Sequence, residues 1–255
     1  MDKTNQGYVR TSIDNNIATI EFFHPSHNSL PSNLLQQLTD EITGASENEE
    51  VILILVQSAG DRTFCAGASF DELVAIEDET TGLSFFSGFA NVINAIRTAQ
   101  KLVIGRVQGK AVGGGVGLAS AFDYCIATKY ASVKLSELAV GIGPFVIGPA
   151  VKRKVGVAHF SNMAINAKEW YKADWAKAAG LYQEVFDNGE EMDKYLTSFL
   201  ANLKTMNPEA MSLLKKVFWE GTDHWDNLLK ERAAISGRLV LSDFSKNTIK
   251  SFLKS

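Results

Sequence analysis

The chain has 255 residues, with 25 lysines and arginines against 29 aspartates and glutamates, a formal charge of −4. At 45% hydrophobic and 21% charged it can bury a core, which excludes a disordered chain. The weak negative charge argues against binding nucleic acid through bulk electrostatics, and 20 glycines without a triplet period exclude a collagen-like repeat.

The first elements form a hairpin: an alternating run from Tyr8 to Ile13, a turn at Asp14-Asn15-Asn16, and a strand from Ile17 to Phe23. Pro31 opens a helix with Leu34, Leu35, Leu38 and Ile42 on one face, and Gly44 closes it. Val51 to Val56 is apolar at every position, the mark of a strand covered on both faces. Helices over 69–77 and 82–99 and strands over 101–108, 124–128 and 132–135 follow. Strand and helix alternate to about residue 190, which predicts an α/β core over 1–190. Four helices then fill a helical region over 191–255, at 190–203, 208–219, 225–239 and 242–253.

Cys65 and Cys125 stand 60 residues apart with no zinc-type spacing, so they read as reduced thiols. His24 and His27 lack a third ligand, and no metal is expected. Residues 1–6 are polar, without the apolar core of a signal peptide, and no apolar run approaches the ~20 residues of a membrane helix. The expectation is a cytoplasmic protein with no membrane partner.

Three stretches carry candidate chemistry. Gly109-Lys-Ala-Val-Gly-Gly-Gly-Val-Gly117 packs five glycines into nine residues. It lacks the Gly-Lys-Ser/Thr ending of a Walker loop, and Leu118 stands where a dinucleotide fingerprint needs its last glycine. It remains open between a tight packing turn and a helix N-terminus offering bare N–H groups to a ligand oxygen. Asp61-Arg-Thr-Phe-Cys-Ala-Gly-Ala-Ser-Phe70 is a second small-residue turn, and Ser69 with Glu72 reads as a capping box. In Ala131-Ser-Val-Lys-Leu-Ser-Glu-Leu-Ala-Val-Gly-Ile-Gly-Pro144, Glu137 lies among apolar residues. It is a candidate general base or, more plainly, an exposed glutamate at a turn.

Together these stretches resemble the crotonase (enoyl-CoA hydratase/isomerase) superfamily. Phe64-Cys-Ala-Gly-Ala68 resembles its first oxyanion-hole turn. Lys101-Leu-Val-Ile-Gly-Arg-Val-Gln-Gly109, Gly113-Gly-Gly115 and Asp123 resemble the second. Leu135-Ser-Glu137 with Gly141-Ile-Gly-Pro144 resembles the segment carrying a catalytic glutamate. The resemblance implies a spiral of β-β-α units with C-terminal helices that mediate trimerisation, as a homotrimer or a hexamer of two trimers. It implies an acyl-CoA thioester as substrate and no further cofactor. Ala66 and Gly114 would supply the two oxyanion N–H groups, and Glu137 would be the base. Ala66, Gly67, Ala68, Ser69, Gly113 and Gly114 would line the acyl-CoA path.

One departure stands out: Gly117 occupies the position where well-known hydratases of the superfamily carry another glutamate. A finer resemblance, through Gly113-Gly-Gly-Val-Gly-Leu118 and Phe145-Val-Ile-Gly-Pro149, is to bacterial methylglutaconyl-CoA hydratases. Those have aspartate where this chain has Ser69. A carboxylated substrate would call for a cation, with Arg62, Lys110 and Lys134 as candidates. The expected activity is an enoyl-CoA hydratase, with methylglutaconyl-CoA of leucine breakdown as the candidate substrate that the finer resemblance implies. The alternatives are a Δ3,Δ2-enoyl-CoA isomerase using Glu137 alone, and a non-catalytic acyl-CoA binder.

Overall fold

The computed structural model describes residues 7–252, so the polar start at 1–6 and the last residue of the expected final helix lie outside the described residues. β1 (Tyr8–Asp14) and β2 (Ile17–Phe23) pair antiparallel. Asn15 and Asn16, at φ 49° and 65°, form the two-residue turn that suits such a hairpin. β2 then pairs in parallel with β3 (Leu53–Ser58), and the sheet continues through β5 (Leu102–Val107), β7 (Tyr124–Thr128) and β9 (Glu184–Phe186). A second, three-stranded parallel sheet holds β4 (Thr63–Cys65), β6 (Lys110–Val112) and β8 (Val133–Lys134).

The unbroken apolar run in β3 is explained by cover on both faces. Ile54 and Val56 join Val103 and Cys125 in the main core beneath α1 (Ser32–Glu47), α3 (Glu79–Thr98) and α4 (Gly114–Ala121). Leu53 and Leu55 face the other way, with Leu102, Ile104 and Ile126. There they meet Met192, Leu196 and Leu200 of α7 (Gly189–Leu203) and Met211 of α8 (Pro208–Phe218). The helical region also enters the main core, through Trp219 and, from α9 (Trp225–Val240), Trp225, Leu229 and Ala233. α9 crosses α3 at a pair of glycines so close that a Cβ on Gly82 would lie 2.7 Å from Gly237 Cα. α10 (Asp243–Phe252) ends the described chain.

Asp123 ties this region to the sheet. Its Oδ2 accepts from Val103 N (2.8 Å) and Lys215 Nζ (2.7 Å), and its Oδ1 from Trp219 Nε1 (2.8 Å). Both charged side chains are only 2% exposed, and Lys215 also donates to the Lys101 carbonyl at 3.0 Å. Removing one partner of such a pair strands the other charge in the core, at a typical cost of about 3–5 kcal/mol.

Element boundaries differ from expectation for local reasons. α1 runs three residues past Gly44, which is exposed with open space beside it and so does not end the helix. α2 (Phe70–Val74) stops before the expected residue 77. α3 starts at Glu79 because Asp78 and Thr81 form a capping box, with Thr81 N donating to Asp78 Oδ1 at 2.7 Å. α5 (Gly148–Ile165) has no expected counterpart: Gly156, at φ 76°, breaks it into two pieces, so no single apolar stripe runs along it. α6 (Ala173–Ala178) and β9 are too short for a clear period.

Candidate active site

The two small-residue turns meet at one place. β4 ends at Cys65 and the chain crosses Ala66, Gly67 and Ala68 to α2. Leu30 N donates to Gly67 O (2.8 Å) and Ser69 N to Leu30 O (3.2 Å), while Gly67 N faces Cys65 Sγ at 3.4 Å. These bonds fix the turn and leave the Ala66 amide with no acceptor among the described residues. Gly67 sits at φ +93°, and a Cβ there would lie 3.1 Å from Val112 O and 3.6 Å from Gly114 N. No larger residue could let the turns approach so closely without strain.

β6 feeds the second turn. Gly113, at φ 52°, donates its amide to Lys134 O (2.9 Å), and its carbonyl accepts from the amides of Val116 and Gly117. Gly114 is the first residue of α4, and its N–H has no acceptor among the described residues. Such first-turn amides carry the partial positive charge of the helix N-terminus. Of the readings left open by the sequence, the helix N-terminus with bare N–H groups is therefore the one adopted.

Glu137 begins a 3-10 turn (Glu137–Val140) just after β8. The turn closes at Gly141, at φ 80°, where a Cβ would meet Phe244 and Ser245 of α10 at 2.6 Å. The residue is half-buried, but its carboxylate points inward: Oε2 is buried and has no hydrogen-bond partner. A Cβ on Gly113 would lie 3.0 Å from Glu137 Oε1, so the carboxylate rests against the glycine turn. Burial pushes the Glu137 carboxyl up to about 7 from the usual 4.5, with its own backbone amide opposing weakly.

These groups share a cavity of about 200 Å³. Ala66, Gly67, Ala68, Gly113, Gly114 and Glu137 all line it. Ser69 does not. Its hydroxyl accepts from Glu72 N (3.4 Å) and caps α2. The expected capping box is only half made, because Glu72 reaches away to α1 and accepts from Ser32 N (2.9 Å) and Ser32 Oγ (2.6 Å). Arg62, Lys110 and Lys134 are also absent from the cavity wall. Sequence reasoning missed the acyl-side wall: Phe85, Phe86 and Phe89 of α3, residues 142–147, and Ser236 of α9. The phenylalanines follow helical spacing, and such a stripe reads as ordinary core.

Gly117 lies one turn into α4 and packs against Ile147, the residue just before α5. A Cβ on Gly117 would lie 2.4 Å from Ile147 Cγ2. The space next to Gly117 is therefore filled by the β-branched side chain of Ile147 rather than left open for a carboxylate. Among the described residues no cluster of three His, Cys, Asp or Glu could hold a metal ion. The Cys65 thiol is buried and pushed up to about 12, so it is no nucleophile at neutral pH.

An α/β core whose main sheet is parallel beyond its first hairpin, beside a smaller parallel sheet and with C-terminal helices packed on it, defines the crotonase class of fold. The comparisons agree. A crystal structure of an enoyl-CoA hydratase from Bacillus halodurans superposes with a TM-score of 0.88, at 21% identity, over 96% of this chain and 99% of that one. The family model for enoyl-CoA hydratase/isomerase matches residues 12–254. The chain belongs to that family of enzymes. Among its relatives, the peroxisomal Delta(3,5)-Delta(2,4)-dienoyl-CoA isomerase of Arabidopsis thaliana is 26% identical over 82% of this chain and 79% of its own length. The mitochondrial methylglutaconyl-CoA hydratase of Rattus norvegicus is 31% identical over 65% of this chain and 52% of its own length.

The Gly117–Ile147 contact is open to test. Gly117→Ala should destabilise the protein by about 1–3 kcal/mol in urea unfolding, despite alanine's better helix propensity. In an Ile147→Ala background the same change should cost much less. A Gly117→Ala variant as stable as the parent would contradict the packing.

Proposed function

We propose that this enzyme is an enoyl-CoA hydratase in which Glu137 is the only acid–base group. The observation that carries the reading is the buried, unpartnered carboxylate resting against Gly113, beside the free amides of Ala66 and Gly114. The thioester oxygen accepts from those two amides. Water attacks C3 while its proton passes to the Glu137 carboxylate, and electron density moves through C2 onto the thioester oxygen as an enolate. Each oxyanion donor contributes about 3 kcal/mol by analogy with other such sites. The enolate collapses as Glu137 returns the proton to C2, so water is added and the glutamate regenerated. A carboxyl held near 7 suits both halves of this shuttle at neutral pH. These steps need no cofactor beyond the substrate's own CoA.

A second reading has its own support. With Ile147 packed on Gly117, no second carboxylate among the described residues lines the cavity to help hold the water. A Δ3,Δ2-isomerase needs none: Glu137 takes a proton from C2 of a 3-enoyl thioester and returns it at C4. Product mass separates the two. Hydration consumes the conjugated absorbance of a 2-enoyl-CoA and adds one water; isomerisation creates that absorbance at constant mass. Under either reading Glu137→Gln should lower turnover by about 10²–10⁴-fold with the fold retained. Parent-like turnover by this variant would contradict the mechanism, and tight acyl-CoA binding with no turnover at all would favour the non-catalytic alternative.

We also propose that copies of this chain assemble as trimers, alone or in pairs. Val157 and Ile165 on α5 and Leu213 and Val217 on α8 are all more than half exposed, an apolar surface that further copies would cover. Light scattering should give a multiple of three times the 27.8 kDa chain. A monomer at micromolar concentration would contradict it.

A further inference from the structure

We propose that the acyl end of the cavity selects an uncharged, apolar acyl group and rejects one that carries a second carboxylate. The inference rests on the acyl-CoA reading above and adds the class of acyl chain. It starts from what the wall contains. Phe70, Phe85, Phe86, Phe89 and Phe145 contribute five aromatic rings, with aliphatic residues between them. The polar side chains of the wall are Ser136, Ser236 and Glu137, and Glu137 is its one ionisable group among the described residues.

Among the described residues no cation is placed to receive a distal carboxylate. The ammonium groups of Lys110 and Lys134 lie 5.1 and 5.6 Å from the centre of the half-exposed Trp170 ring, off the cavity wall. Lys152, Arg153 and Arg232 line a separate groove, which meets the cavity only at Gly143, Pro144 and Phe145. Arg153 is already committed there, donating to the Phe218 carbonyl and lying 3.8 Å from the centre of the Trp219 ring. A second carboxylate in the cavity would therefore be desolvated without a partner, near a glutamate that must itself be ionised to act as a base. The volume is also suited to a compact apolar group. An apolar protein cavity of ~150 Å³ holds a benzene molecule, and this one is about 200 Å³. The branched, carboxylated chain of methylglutaconyl-CoA is the substrate type this wall suits least.

Saturated thioesters separate selectivity from chemistry, because they bind without reacting. Calorimetric titration of the full-length protein with hexanoyl-CoA and with glutaryl-CoA compares acyl groups of similar length, one ending in methyl and one in carboxylate. Hexanoyl-CoA should bind at least about 100-fold more tightly. In parallel, kcat/KM for 2-hexenoyl-CoA should exceed that for 3-methylglutaconyl-CoA by a similar factor. The binding preference without turnover of any enoyl thioester would uphold the inference and overturn the hydratase and isomerase readings. Equal or tighter binding of glutaryl-CoA, with enoyl turnover intact, would overturn the inference and leave the catalytic reading standing. If neither thioester binds, both fall together.

Discussion

The site depends on the close approach of two pieces of backbone. In the proposed mechanism one oxygen meets the amides of Ala66 and Gly114 at once, which requires the turn after β4 to lie against the start of α4. The structure meets this demand by removing side chains. Gly67 has Val112 O and Gly114 N within contact distance of its missing Cβ. At Gly115 an added Cβ would lie 2.3 Å from the Cys65 carbonyl, and at Gly114 it would lie 2.5 Å from the Phe89 ring. Each glycine costs conformational entropy on folding. The apolar core beneath them, running through β3, β5 and β7, offsets that cost and holds both turns at the same end of the strands.

A second tension sits beside the first. Glu137 is placed by β8 and a short 3-10 turn backed by α10, and its Oε2 is buried with no hydrogen bond. The folded protein keeps its proton up to about pH 7, whereas an ordinary glutamate loses it at about 4.5. Stability therefore falls as pH rises through this window. The cost is complete above pH 7, at roughly 3 kcal/mol. Below the lower value both states are protonated and the cost vanishes. The Asp123–Lys215–Trp219 lock resolves the opposite problem, a buried charge whose oxygens are all paired, and it holds α8 against the core. One carboxylate is satisfied and structural; the other is buried and unsatisfied, as the proposed base requires.

Much of this was legible in the sequence, and for identifiable reasons. The hairpin turn at Asn15-Asn16 announced itself through residues that tolerate positive φ. The two-faced burial of β3 followed from Val51 to Val56 being apolar throughout. Both glycine turns stood out because so many glycines need a reason. Less was legible where the signal depends on tertiary packing. Phe85, Phe86 and Phe89 have the spacing of any buried helix face, and only the cavity separates their role from that of Ile93. Ser236 reaches the wall because Gly82 and Gly237 let α9 cross α3 closely, which no local pattern encodes. Ser69 has the sequence context of a cap and is one, but the cap turns it out of the cavity wall. The missing carboxylate at residue 117 was visible as a glycine; that Ile147 occupies the space was not.

The central claim is that the Glu137 carboxyl is buried, unpaired and titrates near neutrality. It is tested most directly by carbon NMR of the side-chain carboxyl in protein labelled at glutamate, with the resonance assigned by its loss in Glu137→Gln. The account predicts a chemical-shift midpoint at about pH 7. A midpoint near 4.5, the ordinary value, would mean that the carboxylate is solvated or paired and would contradict the account.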